Sequence, residues 1–294
     1  MEGTDNNNHQ ARLVIAPTKT ALSTALSNLI IQSCHRALRH STTFTIALSG
    51  GSLPTFLQEL PDAFSKAGKD PQWDKWHVLL ADERCVVSSH EDSNLGAIRT
   101  HFTDNVAIPP SQIYGIDETL LGSSEDVAAS YEKNVVKYLL EMKKATTTAT
   151  ATTDDDGKID CVLLGFGPDG HTCSLFPNHK LLNEQSQWVA SIDDSPKPPP
   201  SRITLTLPFL NQYCQQIIFC GAGVSKRPIV HAVFRNVEKV LEKVAEQNDA
   251  VLGARVASVE LSNPAPYPCG MVRPQGCGDD GDSLIWLVDE DACC

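Results

Sequence analysis

No apolar run in this 294-residue chain approaches the roughly 20 residues needed to cross a bilayer, so no membrane span is expected. The first ten residues lack the basic and apolar regions of a secretory signal, and they lack the Arg-rich bias of a transit peptide. A cytoplasmic location is the expectation, with residues 1–10 disordered. Positive charge is scarce: 24 Lys and Arg against 36 Asp and Glu give a formal charge of −12. That balance argues against a nucleic-acid partner, because phosphate-backbone affinity comes from clustered cations. A small anionic ligand stays compatible, since only the field inside a pocket must be positive.

Other patterns are missing too. There is no C-x-x-C pair, and Cys269 and Cys277 sit in a Gly/Pro-rich loop without a histidine, so neither a metal nor a disulfide framework is expected. Acidic residues precede Cys293-Cys294 and no cysteine stands four from the end, which excludes the usual prenylation signal. The Gly-Lys-Ser/Thr ending of a Walker loop is absent, which speaks against an NTPase. No Gly-x-Ser-x-Gly elbow surrounds Ser174, and no cationic neighbour in sequence activates Cys173. No organic cofactor is implied.

What is present is an alternation of buried-type strands and helices. Short apolar runs at 13–16, 44–48, 77–81, 159–164, 188–192, 203–207, 216–220 and 284–288 predict strands. Helical spacing predicts helices over 18–39, from Pro54 onward, from Asp92 or Ser93 to about 102, from Ser123 or Ser124 to about 144, and from 225 or 226 to about 246. Strands alternating with helices imply an α/β fold with an open, mostly parallel β-sheet covered on both faces. Residues 145–157, rich in Thr and Asp and without periodicity, predict a surface loop inserted in one domain spanning 1–294. The stretch 264–282 predicts a loose loop.

Two strand ends carry the chemistry. Cys161–Leu164 breaks into Gly165-Phe166-Gly167-Pro168-Asp169-Gly170-His171, a turn that delivers a residue titrating near neutrality. Phe44–Leu48 breaks into Ser49-Gly50-Gly51-Ser52, where glycines let backbone amides approach an anion. A base facing an anion cradle is what hydrolysis of a phosphorylated substrate needs. Asp169 either orients the imidazole or merely favours the turn. Arg84 in Asp82-Glu83-Arg84, with carboxylates beside it that are expected to hold it in place, is the next candidate. The stiff segment Lys197-Pro198-Pro199-Pro200-Ser201 is expected to hold Arg202 at a pocket rim. Lys226 follows Gly221-Ala222-Gly223 where a helix dipole disfavours a cation unless an anion sits there.

Taken in order, these segments resemble the 6-phosphogluconolactonase family. The matching pieces are Ala47–Ser52, Asp82–Arg84, Gly165–Pro177, Arg202–Pro208, Gly223–Lys226, Pro264-Ala265 and Trp286–Asp289. The resemblance implies a sugar-phosphate isomerase-like, Rossmann-type three-layer fold. It also implies metal-independent hydrolysis of 6-phosphoglucono-δ-lactone in the oxidative pentose phosphate route by a monomer or weak homodimer. His171 would activate water, with Arg84 on anionic oxygen. Ser49, Gly50, Gly51, Ser52, Asp82, Gly170, Arg202 and Lys226 would bind substrate and phosphate. Glucosamine-6-phosphate deaminases share the Ser-Gly-Gly turn and the histidine segment, but their pattern places a catalytic carboxylate five residues beyond the histidine. Here that position is Phe176.

Overall fold

Five strands of the main sheet are buried at every residue, as strands sandwiched between two helical layers must be. The computed structural model describes residues 9–147, 157–244, 248–275 and 282–294. Its strands are β1 (Gln10–Ala16), β2 (Phe44–Leu48), β3 (Trp76–Leu80), β4 (Asp82–Arg84), β5 (Cys161–Leu164), β6 (Val189–Ile192), β7 (Arg202–Leu205), β8 (Ile217–Gly221), β9 (Asn248–Asp249), β10 (Ala254–Glu260) and β11 (Leu284–Asp289). Eight of them form one sheet in the order β3-β2-β5-β8-β11-β1-β10-β9. The pairs from β3 to β1 are all parallel, and β10 and β9 add antiparallel.

The helices are α1 (Lys19–Leu38), α2 (Leu53–Phe56), α3 (Leu60–Lys66), α4 (Asn94–His101), α5 (Ser124–Tyr131), α6 (Tyr138–Thr146), α7 (Leu207–Gln212), α8 (Arg227–Val233), α9 (Val237–Val244) and α10 (Glu290–Cys293). Between α5 and α6 the chain stays helical through a π turn at Glu132–Lys137. Side chains cap the starts: Ser93 accepts from the Gly96 amide and Ser123 from the Asp126 amide. Trp286 anchors the centre, its ring stacked on Phe219 at 4.3 Å and against Phe166 at 5.0 Å.

Three sequence expectations need correction. Residues 82–84, 189–192 and 202–205 leave the main sheet and form their own antiparallel sheet, β4-β7-β6. The predicted helix over 225–246 is broken, because Phe234 bridges to Leu261 and Asn236 takes a left-handed φ of 56° between α8 and α9. Strand β10 was not foreseen, because the polar residues Arg255, Ser258 and Glu260 interrupt its apolar run. The loop over 145–157 and the N-terminal stretch 1–10 fall mostly outside the described residues. Strands on either side of 148–156 nonetheless pair directly, β2 with β5 and β4 with β7.

This topology positions the site. β2, β5 and β8 are neighbours in the sheet and parallel, so the turns after them open along one edge, where ligands of open α/β sheets bind.

Candidate active site

A cleft of ≈ 220 Å³ lies at that edge. Its walls bring together nine of the ten anticipated residues: Ser49, Gly50, Gly51, Ser52, Asp82, Arg84, His171, Arg202 and Lys226. Gly170 stands off the wall. Its φ of +79° serves the turn, its carbonyl accepts from the Cys269 amide, and a Cβ there would run into Tyr267.

The histidine turn closes on itself through Gly170 N–H to the Gly167 carbonyl (3.0 Å) and Gly167 N–H to the His171 carbonyl (2.9 Å). The closure folds two side chains back over Gly167. A Cβ at 167 would fall 2.1 Å from His171 Nδ1 and 2.2 Å from Asp169 Oδ1, so only glycine admits the pair. Asp169 Oδ1 and His171 Nδ1 are 2.5 Å apart. The Lys197 ammonium joins them, 3.1 Å from Asp169 Oδ2 and 3.0 Å from His171 Nδ1. Partial burial works against ionisation of Asp169, but hydrogen bonds and charge from His171 and Lys197 outweigh it and hold the pKa at about 2.

An ionised carboxylate cannot donate, so His171 donates its Nδ1 proton to Asp169 and keeps the lone pair on Nε2. Burial lowers the His171 pKa below the usual 6.5; Asp169 pulls it back in part, and Lys197 lowers it further. The imidazole is therefore neutral at pH 7. Phe176 stacks on it with centroids 5.0 Å apart, 27° from parallel.

Glu83 does not hold the Arg84 guanidinium, contrary to the sequence reading. It is buried and accepts from the Asn94 and Leu95 amides (both 2.8 Å) and from Ser93 Oγ, so it caps α4 instead. The Arg84 side chain donates through Nη1 to the Asp92 carbonyl at 2.6 Å, and its Nε is buried with no partner. Such an orphan donor in a cleft wall is costly until something accepts from it. The Ser49 hydroxyl is likewise buried without a hydrogen bond. Among the described residues, the amides of Gly50, Gly51 and Ser52 find no protein acceptor. Asn94 also lines the cleft. Its Nδ2 donates to the Asp82 carbonyl at 2.8 Å, and a Cβ on Gly50 would sit 1.7 Å from its Oδ1.

Arg202 is a second correction. It is buried, not at a rim. Its Nε donates to the Pro199 carbonyl and its Nη2 to the carbonyls of Lys197 and Pro198 (2.8–3.0 Å), which leaves Nη1 as its donor toward the cleft and toward Ser174. Ser174 is fully buried, donates to Asp82 Oδ2 at 3.0 Å and lies off the cleft wall, so it is no nucleophile. Cys173 reaches the wall but burial raises its thiol pKa well above normal. The Lys226 ammonium donates to the Phe166 carbonyl and lies 5.3 Å over the Phe166 ring. Burial lowers its pKa, as does the charge of Lys197. Among the described residues no cluster of three or more His, Cys, Asp or Glu side chains could hold a metal ion, and no helix is long and apolar enough to cross a membrane.

Sequence reasoning passed over Asn94 and Lys197 as site residues. Asn94 looked like the first residue of a helix, and Lys197 like part of a stiff basic linker. Only the folded chain sets them beside β4 and the histidine turn.

Fold and cleft together define a class: an open α/β protein with a cleft of cationic and amide donors, and a histidine within it, at the carboxyl ends of adjacent parallel strands. The chain belongs to the glucosamine-6-phosphate isomerases/6-phosphogluconolactonase family, whose model matches residues 17–276. It is 38% identical over 273 residues to a 6-phosphogluconolactonase of Rattus norvegicus, covering 92% of this chain and 88% of that one. It is 39% identical over 223 residues to a probable chloroplastic 6-phosphogluconolactonase 3 of Oryza sativa, covering 76% of this chain. The match spans 65% of the rice protein's length, just under two thirds. A solved 6-phosphogluconolactonase from Trypanosoma cruzi shares the fold, with a TM-score of 0.69 over 96% of this chain and 95% of that one at 20% identity.

Proposed function

We propose that this protein hydrolyses 6-phosphoglucono-δ-lactone to 6-phosphogluconate, the lactone-opening step of the oxidative pentose phosphate route. The observation that carries the reading is the oriented, neutral His171 sharing one cleft with the unpartnered Arg84 Nε and the open amides of residues 50–52. Family membership supports it independently.

Nε2 of His171 takes a proton from water as the water oxygen bonds to the lactone carbonyl carbon. The carbonyl π pair moves onto oxygen, and N–H donors of the cleft not engaged by the phosphate stabilise the resulting oxyanion. Collapse re-forms the carbonyl and breaks the bond to the ring oxygen, which takes the proton back from the imidazolium. One water is consumed, and the acid product ionises in solution. Arg84, Lys226, the remaining Nη1 of Arg202 and the loop Ser49–Ser52 grip the phosphate, and the Asp169 carboxylate keeps the base in its working tautomer. Phe176, packed under the imidazole, fills the position where a deaminase needs a carboxylate. That substitution favours hydrolysis over isomerisation with amine release.

Neither proton transfer calls for a metal, so activity is expected to survive dialysis against EDTA; loss restored by a divalent cation would refute metal independence. Because catalysis needs the neutral imidazole, kcat/KM should be flat near pH 7–8 and fall as pH drops through a pKa below 6.5. A flat profile from pH 5 to 8 would contradict histidine base catalysis. We further read the chain as one domain acting in the cytoplasm as a monomer or weak homodimer, without nucleic-acid or membrane partners. Its acidic balance supports the absence of a nucleic-acid partner, and the strands paired across 148–156 support a single domain. Light scattering across a concentration series tests the oligomeric state.

A further inference from the structure

Among the described residues, Lys197 is the one charged side chain that touches both members of the Asp169–His171 pair, yet it does not line the cleft. Its backbone is unusually constrained. The Arg202 guanidinium holds the carbonyls of Lys197, Pro198 and Pro199, the Ser195 hydroxyl donates to the Lys197 carbonyl (2.8 Å), and the Lys197 amide donates to Ser195 Oγ (3.2 Å). Its ammonium also lies 5.9 Å over the Phe176 ring, the same ring that supports the imidazole. Half-exposed surface lysines spend rotamer entropy to hold any one geometry; here much of that cost is removed by fixing the stem's starting point.

We propose that Lys197 is a positioning residue: its ammonium, fixed by the Arg202-clamped turn, holds the Asp169 carboxylate on His171 Nδ1 so that the tautomer with a free Nε2 dominates. The proposal deepens the reading of the site given above. Asp169 has two oxygens. Oδ1 accepts from His171 while Oδ2 lies 3.1 Å from Lys197, so the carboxylate is anchored at both ends and cannot rotate away. With Lys197 removed, the half-exposed carboxylate is free to turn toward solvent, and the Nδ1 proton loses its fixed acceptor. An imidazole without that acceptor distributes its proton between both nitrogens.

The charged groups around His171 are Asp169 from its own turn, Lys197 from the loop before β7, Asp82 and Arg84 from β4, Arg202 from β7, and Lys226 ahead of α8. Lys197 is the cation in direct contact with the ring and lowers its pKa, while the Asp169 contact that it steadies raises it. Removing Lys197 therefore acts on the midpoint in both directions, and the tautomer is the discriminating readout.

The test is Lys197→Met, which keeps an apolar stem over Phe176, read by ¹⁵N NMR of the His171 side chain in the free protein. The expected result is ¹⁵N shifts of the neutral imidazole showing a mixture of tautomers where the wild type shows one. Lys197→Arg should restore the wild-type tautomer signature. In assays, kcat on the high-pH plateau should fall with the lost fraction of the Nε2-free tautomer while KM changes little. A merely structural lysine would lower the melting temperature without altering the tautomer signature, and an unchanged tautomer would overturn the proposal. If Lys197→Met fails to fold, Lys197→Gln carries the same comparison. The NMR arm needs no substrate: an altered tautomer in a protein that leaves the lactone untouched would defeat the functional reading and keep this one.

Discussion

Replacing His171 with alanine is expected to lower kcat for 6-phosphoglucono-δ-lactone by about 10²–10⁴-fold, the usual contribution of a positioned general base. The Michaelis constant should change little, because the phosphate grip lies in other side chains: Arg84, Lys226 and the loop Ser49–Ser52. Stability should hardly suffer. The ring is partly exposed, its one hydrogen bond among the described residues runs from Nδ1 to Asp169, and the turn around it closes through backbone bonds that alanine keeps. The lactone also opens spontaneously, so the measurement is an initial rate by continuous proton release with the uncatalysed rate subtracted. A loss smaller than about tenfold would be too little for a general base and would reduce His171 to a positioning role.

The second large effect is expected from Asp169→Asn, a change of one atom type in a side chain that never touches the substrate in this account. An amide can turn its NH₂ toward Nδ1 and stabilise the tautomer whose proton sits on Nε2, the nitrogen that must accept from water. A fall in kcat of about 10²-fold or more is expected. The pH profile adds a directional check. Asp169 raises the His171 pKa, so removing its charge should move the acid limb to lower pH. Near-wild-type kcat in the asparagine variant would show that the short contact at Nδ1 has no catalytic consequence.

How much of this was legible in the chain depended on how local the signal was. The strands buried on both faces, Phe44–Leu48 and Cys161–Leu164 among them, are unbroken apolar runs ending in turn residues, and both appeared where the pattern placed them. Ser49–Ser52 and the histidine turn were legible for the same reason: strand, tight turn and functional side chain are contiguous. The sheet β4-β7-β6 was not, because pairing of Arg84 with Arg202 is set by a contact 118 residues apart in sequence, which periodicity does not encode. Charge proximity in sequence also misled. Glu83 lies next to Arg84 yet faces the amides of α4, since successive residues of a strand point to opposite sides. Arg202 looked like a rim cation because three prolines precede it; instead the segment wraps around the guanidinium, and its carbonyls consume most of the donors. Lys197 and Asn94 became visible only through distances, which no motif supplies.

One cleft is read as serving two tasks, gripping a phosphoryl group and presenting a neutral imidazole to a carbonyl carbon. A crystal structure with bound 6-phosphogluconate tests this most directly. The expected result is a phosphate on Arg84, Lys226 and the amides of residues 50–52, with the C1 carboxylate within hydrogen-bond or single-water reach of His171 Nε2. Product bound elsewhere, or oriented with its carboxylate away from the imidazole, would contradict it.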